Sequence, residues 1–177
     1  TGRMVLTMHG EVVCDIPVAP LSEEAPVLDR PHTPSPKLPD IAPEDAPLPS
    51  DMSQAFVAMM KHPDSSSRRW IYQQYDHMVG NDTIAKPGGD TAIVRVHGSK
   101  KALAITTDCT PRYVAADPVE GGKQAVAETW RNLIACGAEP IAITDCLNFG
   151  NPQKPEIMGQ IVGAIEGMAE ACKTLSY

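Results

Sequence analysis

The chain has 177 residues, which is long enough to bury a hydrophobic core, and 42% of them are hydrophobic, as in ordinary globular proteins. Its formal net charge of −7 argues against a nucleic-acid-binding surface, which needs clustered lysine and arginine. An anionic nucleotide can still bind, because backbone amides and Mg²⁺ supply positive charge. No apolar run is long enough to span a bilayer, and no signal peptide is visible.

The five cysteines form no C-x-x-C pair and no zinc-site spacing, which is most simply explained by free thiols in a reducing cytoplasm. We therefore expect a cytoplasmic protein that binds neither nucleic acid nor a membrane. The chain starts at Thr1 without a methionine and stops at Tyr177 directly after a helical pattern. These ends indicate a segment of a longer protein.

The first 50 residues predict a hairpin followed by a linker. Two β-prone runs, 3–8 and 11–16, flank His9-Gly10, a pattern typical of a β-hairpin. A lone hairpin is marginal in water, so we expect it to pack on this domain or to belong to a neighbouring one. From 17 to 49 the chain is rich in proline and acidic residues, which indicates an extended interdomain connector; a P-x-x-P ligand for a partner protein is the alternative.

Two helices are predicted next. Ser50 is the expected cap of a short helix that ends before Pro63. A second helix is predicted over 67–79. Arg68 and Arg69 lie at its start, where the helix dipole disfavours cations, so we expect them to have a carboxylate or phosphate partner.

The remaining pattern alternates strands with helices, which predicts an α/β layer architecture. The elements are strands over 91–96 and 103–107, a helix from Asp117-Pro118 to Gly137, a strand over 141–144 and a helix over 155–175.

Glycines mark two places where a neighbour is expected to approach a helix closely. Gly121-Gly122 near the start of the first of these helices costs helical stability, so we expect phosphate or a packed strand against its backbone. In the last helix, small residues repeat every fourth position and predict a smooth ridge for packing on a sheet or helix: Gly159, Gly163, Gly167 and Ala171.

Two segments share one pattern, an apolar run followed by threonine, aspartate and cysteine, and they end in Asp108-Cys109 and Asp145-Cys146. Asp145 is predicted at the carboxyl end of a strand, where open α/β sheets bind ligands; a turn-capping role is the alternative. Two strands that bring carboxylates to one edge predict a site for Mg²⁺ and a polyphosphate. Asp90, at the entry of an earlier strand, is another candidate metal ligand, with a turn aspartate as the alternative. A thiol enzyme is disfavoured, because an adjacent carboxylate opposes thiolate formation.

Segments 69–79, 106–109 and 138–152 resemble the phosphoribosylformylglycinamidine synthase family, and the resemblance covers about 67–177. It implies an α/β (α+β) fold, an aminoimidazole ribonucleotide synthetase N-terminal-like domain with a mixed sheet and helices packed on one side. The family has two related halves. The resemblance divides the chain into a hairpin from the end of the preceding domain (1–30), a proline-rich linker with a short helix (31–66) and the truncated N-terminal domain of the second half (67–177).

The resemblance also implies an activity for the full protein. That activity is the ATP-dependent conversion of formylglycinamide ribonucleotide to its amidine with glutamine-derived ammonia, in purine synthesis. ATP and Mg²⁺ are the implied cofactors. The first synthetase half and a glutaminase subunit or domain are the implied partners.

Residue by residue, the resemblance implies that this segment is inactive alone. Asp145 matches an aspartate that contacts ATP, Asn148 is a second nucleotide-binding candidate, and the residues that complete the site are expected beyond the end of the chain. Asp108 stands at the place of a metal-binding glutamate, and with Asp90 it is a candidate metal ligand of a secondary pocket. Thr110 stands where the first half has a catalytic histidine, so no catalytic residue is expected.

Two further positions depart from the family pattern. Asn132 replaces a metal-binding aspartate, and Gly159 replaces a bulky aromatic residue, so the packing there is expected to differ. The alternative reading of the whole chain is a structural half-domain with a degenerate nucleotide pocket.

Overall fold

The computed structural model describes residues 2–36 and 38–177. The chain divides into two compact units, Thr1–Pro31 and His32–Tyr177. In the first unit, β1 (Arg3–Met8) pairs antiparallel with β2 (Glu11–Pro17), with a register shift between Leu6 and Thr7. His9 and Gly10 have φ values of 52° and 87°, and two consecutive positive φ angles are typical of a tight hairpin turn. The predicted hairpin is confirmed.

The second unit combines five α-helices with a three-stranded sheet in its described part. The helices are α1 (Met52–Lys61), α2 (Arg69–Gln73), α3 (Pro111–Ala116), α4 (Pro118–Ala135) and α5 (Pro155–Leu175). The strands are β3 (Thr83–Ala85), β4 (Ala92–Arg95) and β5 (Ala102–Ile105), hydrogen-bonded in the order β3-β4-β5. The α/β class is confirmed, and α4 and α5 begin and end as predicted.

The sheet itself differs from the prediction. Both strand pairings in the described second unit are antiparallel, whereas a mixed sheet was expected. The predicted strand over 141–144 is wrong, because those residues have no regular secondary structure and Ile141 is 78% exposed. A strand needs a hydrogen-bonded neighbour, and this short apolar run has none among the described residues.

The region before the sheet also needs correction. Asp51, not Ser50, caps α1, since its Oδ1 accepts from the backbone N–H groups of Ser53 and Gln54 at 2.9 and 3.1 Å. The predicted helix over 67–79 shrinks to the five residues of α2. The Arg68 guanidinium donates to the carbonyls of Pro63 and Asp64 at 3.0 and 3.1 Å rather than to a carboxylate or phosphate.

The core of the second unit lies between α4 and α5, where Val126 and Leu133 of α4 and Ala164 and Ala171 of α5 are buried. In the part of the chain described, no helix is both long enough and apolar enough to cross a membrane.

The two glycines near the start of α4 lie between helices, not against a phosphate or a strand. A methyl group on Gly121 would lie 2.5 Å from Val114 Cα in α3, and one on Gly122 would lie 2.5 Å from the Ala164 carbonyl oxygen in α5. Both distances are far below ordinary contact, so neither position admits a side chain without movement of a backbone. The predicted close approach is confirmed, and the neighbouring elements are helices.

The small residues of α5 pack closely on another helix, α4, as predicted. A methyl group on Gly167 would overlap the Val119 carbonyl of α4, and one on Gly163 would meet Pro118 Cβ at 3.1 Å. Gly159, where an aromatic residue was expected, faces the Thr33 carbonyl instead.

Candidate functional site

A cavity of about 570 Å³ lies among α3, α4, α5 and the irregular chain on either side of them. Its walls come from five stretches of the second unit: the turn 108–111, the helical residues Val114 and Ala115, one face of α4, the loop 143–150 and one face of α5. The turn and the loop together supply most of the polar groups, and the helices supply most of the apolar ones. The site is therefore built from helices and loops, not at the edge of a sheet.

Three of the four predicted site residues line this cavity: Asp108, Asp145 and Asn148. Asp108 is half-buried, whereas Asp145 and Asn148 are exposed. Asp90 does not line it. The two threonine-aspartate-cysteine segments thus meet at one cavity, although only the first follows a strand.

Asp108 is held by a polar network. Asn132 Nδ2 donates to Asp108 Oδ1 at 3.0 Å. Thr106 Oγ1 lies 2.6 Å from Asp108 Oδ2 and 3.0 Å from the carbonyl oxygen of Asp90, and its single proton can serve only one of them at a time. Both carboxylate oxygens of Asp108 therefore have a donor within the protein. These donors fix the side chain at the cavity wall and compensate its charge in part.

Two further polar side chains of the cavity wall are engaged locally. Thr110 Oγ1 donates to the carbonyl of Gly121 at 3.1 Å, so it links α3 to α4. Asn148 Nδ2 donates to the Cys146 carbonyl at 2.9 Å, which folds the side chain back onto its own loop. Neither group is poised as a general base, because both act as hydrogen-bond donors to backbone.

Much of the cavity lining is apolar. Val126 of α4, Ala164 and Met168 of α5, and Leu147 and Phe149 of the loop form this part of the lining. An apolar wall with a few polar groups at one side is the usual make-up of a small-molecule site. The cavity suits a ligand with both an apolar part and a polar part.

The donor set fits Mg²⁺ only together with a ligand. The described residues contain no group of three or more histidine, cysteine, aspartate or glutamate side chains arranged to hold a metal. Mg²⁺ commonly takes one or two protein carboxylates and fills its other positions with phosphate oxygens and water. Asp108 and Asp145 can supply such carboxylates, whereas side chains alone do not complete a coordination shell here.

Sequence reasoning missed the residues that hold Asp108 in place. Thr106 was named only as part of a motif, and Asn132 only as a replacement of an aspartate. The i to i+2 spacing of Thr106 and Asp108 was the available signal, since short polar side chains at that spacing often bond to each other. Helix α3 was also missed, although Thr110-Pro111 places proline at its first turn, a common helix start.

Comparison with known proteins identifies the family. The family described as AIR synthase related protein, N-terminal domain, matches residues 88–177. The chain belongs to this family. Because the match covers α3, α4, α5 and the loop between them, the cavity lies within the family's domain.

The relatives of this AIR synthase related chain confirm the resemblance. It is 57% identical over 184 residues to the phosphoribosylformylglycinamidine synthase subunit PurL of Novosphingobium aromaticivorans, a match that covers 100% of the chain and 25% of that protein. The same subunit of Zymomonas mobilis is 58% identical over 173 residues, covering 98% of the chain and 23% of that protein.

A solved structure is also similar. The structure of T. maritima PurL complexed with ADP matches with a TM-score of 0.61 and 25% identity, over 99% of this chain and 27% of that one. The chain thus spans about a quarter of the length of the curated relatives it matches.

Proposed function

We propose that this chain is part of an ATP-dependent carbon–nitrogen ligase, phosphoribosylformylglycinamidine synthase. The enzyme would convert formylglycinamide ribonucleotide to formylglycinamidine ribonucleotide with ammonia from glutamine, in purine synthesis. The names of the relatives at 57% and 58% identity support this activity. The ADP bound to the structural neighbour supports a nucleotide as the ligand.

The proposed reaction has two steps. The amide oxygen of the substrate attacks the γ-phosphorus of ATP, and ADP leaves. Ammonia then adds to the activated carbon, and inorganic phosphate leaves to give the amidine. The chain itself contributes binding rather than proton transfer, since Thr110 already donates to a backbone carbonyl and an unactivated hydroxyl is a poor base near neutrality.

The observation that carries the proposal is that Asp108 and Asp145, from two separate segments of like sequence, line one cavity with an apolar wall. We assign nucleotide binding to Asp145 and Asn148. Asp108 is the proposed carboxylate for Mg²⁺. Asp90, the other candidate metal ligand, does not line the cavity, and its backbone carbonyl competes with Asp108 for the Thr106 hydroxyl proton. Mg²⁺ would neutralise charge on the phosphoryl group that is transferred.

The proposed partners are the first synthetase half and a glutaminase subunit or domain, and the proposed compartment is the cytoplasm. All five cysteines are free, as a reducing compartment requires. In this arrangement the segment alone is inactive and supplies nucleotide contacts of the second half. The hairpin of the first unit would belong to the preceding domain, and residues 31–66 would connect the halves.

A second candidate function is a structural half-domain with a degenerate nucleotide pocket. One observation favours it: each oxygen of Asp108 has a donor within hydrogen-bond distance, Asn132 Nδ2 at 3.0 Å and Thr106 Oγ1 at 2.6 Å. Donors near both oxygens compensate part of the carboxylate charge, so the affinity of Asp108 for a cation is lower. The two functions differ in whether the cavity takes up a nucleotide.

Calorimetric titration of the 177-residue chain with ADP and with ATP·Mg²⁺ separates them. We expect Asp145→Asn to weaken binding about ten- to a hundredfold, because a hydrogen bond to a charged group contributes about 1.5–3 kcal/mol. Asp108→Asn should have a smaller effect, because its charge is already compensated by two donors. Glu166→Gln, an exposed change on α5 outside the cavity lining, is the matched control.

Equal losses from Asp145→Asn and Asp108→Asn would contradict this division of roles. No heat at millimolar nucleotide, with the control and the unmodified chain folded, would favour the structural half-domain.

A further inference from the structure

Residues 32–36 and Leu38, which sequence reasoning assigned to a linker, make backbone contacts with two helices of the second unit. The Thr33 N–H donates to the carbonyl of Pro155, the first residue of α5, at 3.1 Å. The Leu38 N–H donates to the carbonyl of Ala116, the last residue of α3, at 3.4 Å. The last carbonyls of a helix have no partner within it, so Leu38 supplies one that α3 lacks.

A glycine on α5 creates the space for this segment. The Thr33 carbonyl lies where a side chain at position 159 would begin: a methyl group on Gly159 would overlap the Thr33 oxygen and lie 2.8 Å from its carbon. Ordinary contact begins at 3.4 Å, so any residue but glycine would displace the segment. Gly159 is buried, whereas Thr33 is exposed, so the segment covers the helix from the outside.

Two prolines restrict the conformations open to the segment. Pro34 and Pro36 fix their own φ angles and restrict the residues before them to extended conformations. Thr33 and Leu38 are five positions apart in the sequence, so their Cα atoms lie at most about 18 Å apart. An extended chain with pre-set φ angles also loses less entropy when it is ordered.

We propose that residues 32–36 and 38 form a strap that holds α3 and α5 together, and that Gly159 is the residue that admits it. Both helices contribute to the cavity wall, with Val114 and Ala115 from α3 and Gln160, Ala164 and Met168 from α5. The strap therefore sets the spacing of two cavity walls from outside the cavity. This inference does not depend on which ligand the cavity binds.

Amide hydrogen exchange in the unmodified 177-residue chain tests the strap directly. The Thr33 and Leu38 amides should exchange at least about tenfold more slowly than the Ser35 amide, because hydrogen-bonded amides exchange only through opening. Ser35 is the internal reference, since its amide donates no hydrogen bond within the described chain. Exchange of Thr33 and Leu38 as fast as that of Ser35 would overturn the proposal.

Gly159→Ala tests the role of the glycine, with Gly163→Ala as the matched control one turn further along α5. Gly159→Ala should bring the Thr33 and Leu38 amides close to the Ser35 rate while Val126 and Leu133 in the core stay protected. Gly163 faces Pro118 and not the strap, so its variant should leave both strap amides protected. Unchanged protection in Gly159→Ala, or equal loss in both variants, would refute the assignment. If Gly159→Ala does not fold, the exchange rates of the Thr33, Leu38 and Ser35 amides in the unmodified chain still support or overturn the strap.

Discussion

Replacing Gly167 by alanine should destabilise the second unit, although alanine is the better helix former. A methyl group there would overlap the Val119 carbonyl oxygen and lie 2.8 Å from its carbon, against the 3.4 Å of an ordinary contact. Because the oxygen is closer still, the backbones of α4 and α5 must separate by at least about 1 Å, which disturbs the packing of the buried Val126 and Ala164.

The magnitude follows from two opposing contributions. Overpacking a core costs about 1–3 kcal/mol, and here the neighbour is rigid backbone, so about 3 kcal/mol applies. Replacing glycine by alanine in a helix interior stabilises the helix by about 1 kcal/mol. The net loss is about 2 kcal/mol, which lowers the Tm of a domain of this size by about 4–8 °C. Urea unfolding followed by circular dichroism at 222 nm measures it.

Gly163→Ala is the control for this prediction, because it makes the same chemical change four residues away on the same face of α5. Its methyl group would meet Pro118 Cβ at 3.1 Å, so a shift of a few tenths of an ångström suffices. The overpacking cost and the gain of about 1 kcal/mol in helix propensity should then nearly cancel. Equal destabilisation by both variants, or a Gly167→Ala chain as stable as the unmodified one, would refute the reasoning.

The remaining predictions concern helix caps and thiols. Asp117→Ala should cost about 0.5–2 kcal/mol of global stability in urea unfolding, because Asp117 Oδ1 caps the buried helix α4 through Val119 and Glu120, each at 3.2 Å. Asp51→Ala should only fray α1, which has no buried residue, so an equal effect on global unfolding would contradict this contrast. Burial raises the pKa of the Cys172 thiol, so its alkylation should need a higher pH than that of the exposed Cys109 and Cys146. Mass-spectrometric mapping over a pH series checks the order, and rapid stoichiometric labelling of Cys109 or Cys146 at neutral pH would instead revive a thiol enzyme.

Local signals were sufficient for much of the fold. Helix α4 carries an N-cap aspartate, proline at its first position and a terminating glycine, and α5 carries a long apolar stripe. The hairpin had a turn that requires positive φ at two residues. In each case the information lies within a few residues, so the pattern determines the element.

The failures have a different physical origin. The run 141–144 is apolar enough for a strand, but strand formation depends on a partner elsewhere in the chain, which local composition does not encode. Helix α2 is shorter than predicted, and Ile71 and Tyr75, which lie on one side at helical spacing, are 52% and 72% exposed, so no core in the described unit stabilises a longer helix. The hydrogen-bond partners of Arg68 were missed because they are backbone carbonyls. Every residue has one, so residue identity does not indicate which carbonyl accepts.

In the candidate site, too, local sequence patterns were informative, whereas contacts between distant parts of the chain were not predicted. The repeated threonine-aspartate-cysteine pattern drew attention to Asp108 and Asp145, which line one cavity. The reason given, two strands ending at a shared sheet edge, is wrong for Asp145. The loop lies beside α5 at Gly150, where an added methyl group would be 3.5 Å from Ile157 Cδ1. The sequence of the loop has no periodic pattern from which this position could be predicted.

Helix α5 thus contacts three other parts of the second unit through residues spaced along one stretch: the loop at Ile157, the strap at Gly159 and α4 at Gly163 and Gly167. Two of these four contacts, at Gly159 and Gly167, need the absence of a side chain. A glycine-rich helix is intrinsically weaker by about 1 kcal/mol for each glycine, so its stability must come from the neighbours that the glycines admit. Because those neighbours carry the cavity walls, the order of α5 and the shape of the cavity depend on each other.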